Sequence, residues 1–280
     1  MKKILILGDL SKKKISDTIS RLKPWLEKHV TAEILDLSKE KKFEKPGAEI
    51  AVVFGGDGAI LSTCRGLGKK QIPIVGVHMG RFGFLAELME KDVCISLEKI
   101  FIGNYQIRKR LLLFCRVERA GKLISESMGI NDAVISRSSL SRLVSIKLNI
   151  DGEDVATYRA DGLIISTPLG STAHSLSAGG PLLTPGLNAF IIVPICPHTL
   201  TNRPLVVSGD VKIEMEILSQ LSGTGFTVDG QVFTEVEMGD RVKVERSDIE
   251  VQLIDTGTRT FYGVLREKLN WGGQPNYGRN

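Results

Sequence analysis

The chain has 280 residues, enough for one large or two modest domains, and its 42% hydrophobic and 25% charged content is that of an ordinary soluble protein able to build its own core. A net charge of +5 favours anionic small molecules such as nucleotides through the summed field of the protein, but it lacks the dense basic stripe of a nucleic-acid binder. No apolar run approaches the roughly 18 residues of a membrane span, so neither a membrane nor a nucleic acid is expected as a partner.

The runs Lys12-Lys13-Lys14 and Arg108-Lys109-Arg110 read as solvated faces. Cys64, Cys94, Cys115 and Cys196 are scattered, with no metal-ligand or C-x-x-C spacing, which suits a reducing cytosol. The apolar start meets Gly8 and Asp9 too early for a signal peptide, so a cytoplasmic protein is expected.

In chain order, residues 4–7 form a continuous apolar run that predicts a buried parallel strand. Residues 14–29 carry Ile15, Ile19, Leu22, Trp25 and Leu26 at helical spacing, with Pro24 disturbing the late part. Strands are predicted at 32–37, 50–54 and 72–77, and a helix at 59–65. Strands separated by helices imply a parallel sheet with crossover connections. Near residue 104 the pattern changes. Strands are predicted at 111–117, 133–136, 143–150, 162–166, 191–194, 211–217, 241–244 and 249–254. Turn residues at Ala120-Gly121, Asp151-Gly152, Ser222-Gly223, Asp229-Gly230-Gln231 and Gly239-Asp240 punctuate them, as in an all-β domain. A short helix is predicted at 175–178 and a longer one at 260–269, the latter packing back on the first domain; residues 272–280 are expected to fray.

Four segments carry chemistry. Gly55-Gly56-Asp57-Gly58 joins a buried strand to a helix. Glycines let a ligand approach the main chain, and the unpaired amides and positive dipole of a helix start suit phosphate oxygens. A carboxylate in such a turn either holds a metal ion or accepts a proton from an attacking hydroxyl; the four residues alone leave open a plain tight turn capped by Asp57. The run from Asp161 to Pro181 is rich in small and hydroxylated residues that can read a base edge or a ribose. Asn131-Asp132, ahead of a strand, can hold ribose hydroxyls or simply mark the strand start. Residues 194–204 contain Pro194, Pro197 and Pro204 with His198 and Arg203, and read as a corner ordering a buried loop.

Together with Gly76-Val77-His78-Met79-Gly80-Arg81-Phe82-Gly83-Phe84, these segments occur in an order that resembles the NAD kinase family, over a match from Gly55 to Gln231. Lipid kinases share a GGDG-type turn, but Asn131-Asp132 and the hydroxyl-rich run favour NAD; a non-catalytic NAD sensor would not need Asp57. The resemblance implies an N-terminal α/β, Rossmann-like domain with a parallel sheet (1–104, with 256–280 packing back) and a C-terminal β-sandwich-like, NAD-binding domain (105–255). It implies that Asp57 takes the proton of the adenosine ribose 2′-hydroxyl of NAD, with Gly55, Gly56 and Gly58 on the nucleotide and Phe84 near the adenine. It also implies NAD contacts from Asn131, Asp132, Arg142, Arg159, Asp161, Thr172, Ala173, His174, Ser177 and Gln231. ATP or another phosphoryl donor with Mg²⁺ or another divalent cation, no resident metal ligands, and a homodimer or homotetramer sharing its sites complete the expectation. Leu169 and His174 stand where the family usually has Thr or Ser and Tyr, and both positions face NAD in the family.

Overall fold

The computed structural model describes residues 2–40, 42–43, 47–80, 83–137, 143–199, 201–219 and 223–273. Four parallel strands open the chain: β1 (Lys3–Gly8), β2 (Thr31–Asp36), β3 (Ile50–Gly55) and β4 (Ile74–His78), in spatial order β2-β1-β3-β4. Helix α1 (Lys13–His29) joins β1 to β2, and α2 (Asp57–Leu67) joins β3 to β4; a short strand β5 (Leu88–Met89) and helix α3 (Val93–Phe101) follow. β1, β3 and β4 are largely apolar because both faces are covered, whereas the edge strand β2 carries Thr31, Glu33 and Asp36. Ile4, Ile6, Val52 and Phe54 pack with Ile15 and Ile19 of α1 and Leu97 of α3. Leu5, Leu7, Ala51 and Val53 face the other way, onto Ile60, Leu61 and Cys64 of α2.

Helix α1 runs through Pro24 without a break, where a disturbance was expected. Ile15, Ile19, Leu22 and Leu26 form one buried stripe along it, and that burial outweighs the one backbone bond that proline removes.

The second half is β-rich. Its strands are β6 (Gln106–Arg119), β7 (Lys122–Gly129), β8 (Asp132–Arg137), β9 (Val144–Ile150), β10 (Glu153–Ala160), β11 (Gly162–Ser166), β12 (Ala189–Ile195), β13 (Leu205–Ser208), β14 (Ile213–Ile217), β15 (Thr224–Val228), β16 (Val232–Glu235) and β17 (Arg241–Asp255). Helix α4 (His174–Ser177) lies between β11 and β12, and α5 (Phe261–Leu269) ends the fold. One sheet has the order β13-β12-β11-β8-β15-β16. The other runs β10-β9-β14-β17 and continues into the parallel strands, because β17 pairs with β4 at Leu253 and Ile74. The two predicted strands at 241–244 and 249–254 are one strand, which bends at a register shift against β6 between Arg246 and Glu250.

The sandwich core lies between these sheets. Leu113, Cys115 and Val117 of β6 and Ile146 and Leu148 of β9 meet Ile135, Leu163, Ile165, Phe190 and Phe226 of the other sheet. An α/β half with a parallel sheet and an antiparallel sandwich-like half are therefore both present, as expected. The tail is tied to the loop after β4: Glu87 accepts from the Thr256 amide and from the Thr256 and Thr258 hydroxyls. Val264 and Leu265 of α5 are buried. All four cysteines are free.

Candidate active site

In open parallel sheets, ligands gather at the carboxyl ends of the strands. Here β3 ends at Gly55 and β4 at His78, and the chain that leaves each turns toward the other. Gly56 caps α2 with extended backbone and Asp57 is its first helical residue. The Asp57 side chain does not cap its own helix, which corrects that reading. Its Oδ2 accepts the Phe84 amide at 2.7 Å and its Oδ1 the Leu85 amide at 3.0 Å. Gly83 makes this approach possible: a Cβ there would lie 1.9 Å from Asp57 Oδ1. The carboxylate is thus aimed by two amides from the loop after β4, while each oxygen keeps a further lone pair.

His78, at the end of β4, is buried. Burial holds its pKa below the ordinary histidine value; Lys268 and Arg259 of the tail add to the depression, and the Gly80 backbone and Asp57 oppose it. A neutral ring beside the Asp57 turn follows at pH 7. Nothing in the spacing of the sequence marks His78 as part of this group.

The second wall comes from the sandwich. The turn Val228-Asp229-Gly230-Gln231 has left-handed backbone at Asp229 and Gly230 and joins β15 to β16, as expected for a tight hairpin. The Asp229 carboxylate, with no exposed side-chain surface, accepts the amides of Ile130, Asn131 and Asp132. Arg65 of α2 pairs with the same carboxylate at 2.7 Å and also donates to Gln231. Gln231 Nε2 in turn donates to the Gly58 carbonyl at 3.0 Å. The glycine-rich turn, the Asn131-Asp132 pair and Gln231 are therefore brought together, and Arg65 and Asp229, which sequence reasoning did not select, link them. Asp132 begins β8 and is buried; burial, then the charge of Asp229, push its carboxyl up to about 7.

The hydroxyl-rich run wraps the same corner. The Asn131 carbonyl accepts from the Thr167 amide and the Ser166 hydroxyl, and the Gly170 amide donates to Thr167 Oγ1. A side chain at Gly170 would meet the Asn131 carbonyl oxygen at 2.1 Å. Thr172 closes a helical turn whose start, Leu169, accepts its hydroxyl, and Ala173, His174 and Ser177 follow around α4 with His174 and Ser177 exposed. Leu169 is 8% exposed and packs with Ala86, Leu112 and Ile130, so in this chain the position belongs to the core. Phe84 and Leu169 border a cavity of about 510 Å³ that also reaches Arg110 and Phe261.

Arg159 and Asp161 do not join this group. Asp161 precedes β11 at the end where Gly162 pairs Ser136, whereas Asp132 pairs Ser166 at the other end. The four strand steps between them are worth about 13 Å. There Asp161 pairs with Arg137 at 2.6 Å, and Arg159 is exposed. His198 sits beside this far end, its amide donating to the Arg159 carbonyl. Arg142, like Arg81, Phe82, Ser222 and residues 274–280, lies outside the described residues.

Comparison with known proteins gives a consistent result. Residues 5–105 match the ATP-NAD kinase N-terminal domain and residues 130–256 the ATP-NAD kinase C-terminal domain. The chain is 40% identical to the NAD kinase of Geotalea daltonii over 90% of this chain and 89% of that one. It is 38% identical to the NAD kinase of Rhodopirellula baltica, over 97% and 88%. Among solved structures, it resembles yeast NADH kinase complexed with NADH (TM-score 0.83, 21% identity, 100% and 90% of the two chains). It also resembles an Archaeoglobus fulgidus NAD kinase in complex with ATP (TM-score 0.73, 24% identity, 96% and 97%). At these identities the two structures speak for the fold.

Proposed function

The chain belongs to the NAD kinase family and phosphorylates NAD to NADP, and on that basis we propose that Asp57 receives the proton of the ribose 2′-hydroxyl while the Gly55-Gly56-Asp57-Gly58 turn holds the phosphates of ATP. The observation that carries this reading is the Asp57 carboxylate, aimed by the Phe84 and Leu85 amides at the mouth of the parallel sheet. The Gln231 bond to Gly58 adds to it by joining that turn to the hairpin under Asn131 and Asp132. The 2′-oxygen attacks the terminal phosphorus, the bond to the bridging oxygen of ADP breaks, and the proton passes to Asp57. Phosphoryl transfer asks for alignment and charge stabilisation more than covalent help. The first-turn amides of α2 and its dipole supply charge stabilisation for the donor phosphates.

Asn131 and Asp132 hold the acceptor ribose in this reading. With its carboxyl pushed up to about 7, Asp132 can donate as well as accept near neutral pH. Thr172, Ala173, His174 and Ser177 line the adenosine, Gln231 borders both substrates, and Phe84 stacks near the base. A divalent cation, Mg²⁺ or another, enters with ATP. The Gly55-Gly56-Asp57-Gly58 turn that holds the triphosphate would hold the ion with it. When bound, such an ion would neutralise the negative charge of the donor phosphates.

Arg159 and Asp161, at the opposite end of β11 from Asp132, fit a homo-oligomer in which a second copy turns its own pair toward this site. The Arg142 contact is carried over from the family resemblance alone. We assign residues 1–104 with 256–280 to the donor side and 105–255 to the acceptor side. Among the described residues no helix is long and apolar enough to cross a membrane; the cytoplasm is the compartment we propose, and NADP biosynthesis the role. The test is NADP formation from NAD, ATP and Mg²⁺, read through an NADP-specific dehydrogenase. Asp57→Asn should reduce turnover on the order of 10²–10⁴-fold; near-normal turnover in that variant would exclude Asp57 as the base.

A further inference from the structure

Arg65 has no place in the reaction as described so far, yet it is built into the site. It sits in the last turn of α2, the helix that Asp57 begins, and its side chain is 15% exposed. The eight helical steps from Asp57 to Arg65 span about 12 Å of rigid helix. At the near end, Gly58 is bonded to Gln231; at the far end, Arg65 grips Asp229 with one nitrogen and Gln231 with the other. Asp229 is wholly buried and spends its remaining capacity on the amides of Ile130, Asn131 and Asp132. The helix bearing the base and the segment bearing the acceptor pair are thus pinned to the same hairpin turn.

We propose that Arg65 and Asp229 are a positioning pair that sets the distance between Asp57 and the acceptor ribose held by Asn131 and Asp132. The inference rests on the reading of Asp57 and Asn131-Asp132 given above. The guanidinium fork fixes direction as well as distance. Asp229 accepts three successive amides, so displacing it displaces the acceptor segment as a unit. A displacement of about 1 Å costs on the order of 10²-fold in an aligned transfer. Asp229 ties the pair to the acceptor segment through the Ile130, Asn131 and Asp132 amides, so its loss should be felt most on the NAD side. Burial pushes the Asp229 carboxyl up, and the Asn131 amide and then the Arg65 charge oppose that push.

Wild type, Arg65→Lys and Arg65→Gln are compared for kcat and KM with NAD and ATP varied separately, across pH 5–9, together with thermal melting. Arg65→Gln should lower kcat/KM for NAD about 10- to 100-fold, change KM for ATP by less than about 2-fold, and move the acid limb of the NAD profile to higher pH as Asp229 takes up a proton more readily. Arg65→Lys should recover part of the loss, since it keeps the charge without the fork. Wild-type kcat/KM and an unmoved acid limb in Arg65→Gln would overturn the pair while leaving the kinase reading intact. Equal losses toward NAD and ATP that track melting would also overturn it, as a purely structural effect. Absence of NADP from the wild type would instead strike the reading beneath it and take the pair with it. If Arg65→Gln fails to fold, Arg65→Lys alone decides: unchanged kcat/KM for NAD in that variant would overturn the fork's role.

Discussion

Gly83→Ala is a one-carbon change with a large expected effect. A Cβ built at Gly83 would stand 1.9 Å from Asp57 Oδ1 and 2.3 Å from its Cγ. Real Cβ contacts stop near 3.0 Å, so the two atoms must separate by at least 1.1 Å (3.0 minus 1.9). The neighbour cannot swing away freely, because its oxygens are bonded to the Phe84 and Leu85 amides at 2.7 and 3.0 Å. Either the carboxylate turns and loses those bonds, or the loop lifts and carries the amides off. Both outcomes misplace the base by about 1 Å, worth on the order of 10²-fold in kcat. The cost in stability is smaller: weakening two charge-assisted bonds at a partly exposed carboxylate amounts to about 1–2 kcal/mol, or a few degrees of Tm at this chain length. The assay is steady-state NADP formation at saturating NAD and ATP, at a temperature where melting shows the variant folded. A Gly83→Ala enzyme that keeps more than about a third of wild-type kcat would refute the claim that the loop aims Asp57.

Other outcomes follow from the same geometry. Because the Asp132 carboxyl is pushed up to about 7 from 3.8 in the unfolded chain, the folded state holds that proton more tightly. The fold therefore bears no penalty below about pH 4, a growing one toward pH 7 and a constant one above. Asp132→Asn should then gain stability relative to wild type between pH 5 and pH 8, with about 4 kcal/mol as a ceiling at 1.36 kcal/mol per pKa unit; equal urea midpoint differences at the two pH values would contradict this. Leu169→Thr, restoring the family's usual hydroxyl at a site 8% exposed, should cost about 1–3 kcal/mol in denaturant unfolding, and a neutral result would mean the position is not core. His174→Tyr, at an exposed ring, should leave Tm unchanged and lower KM for NAD about 5-fold, the worth of one added hydrogen bond; an unchanged KM would mean the ring only fills volume.

Local pattern made some of this legible and distance in the chain hid the rest. The strand ending at Gly55, its glycine turn and α2 were readable because both faces of β3 are apolar and the glycines interrupt them abruptly. The hairpin at Asp229-Gly230 was readable because that dipeptide suits left-handed backbone. Strands β7 and β10 escaped notice because they are largely exposed and present no apolar face to count. Residues 245–248 separate two predicted strands, yet β17 runs through them, with a register shift against β6 between Arg246 and Glu250. The partners of Asp57 could not be read at all, since the amides of Phe84 and Leu85 meet it only after β4 has been laid beside β3. Arg65 resembled any basic residue near a helix end, because its partner Asp229 lies in the other half of the chain.

The pairing of Leu253 with Ile74 has a consequence for how the molecule is made. One flank of β4 is sealed at its start by β17 and at its end by β5. While the first hundred residues emerge from the ribosome, the start of that flank, at Ile74, stands open on an apolar strand and invites another chain. It closes only once Leu253 has been synthesised. A long-range pairing of this kind makes for slow folding and prolonged exposure. Nascent or truncated chains ending near residue 104 should therefore aggregate where the full chain does not, and a bound chaperone or a second copy would find its foothold on β4.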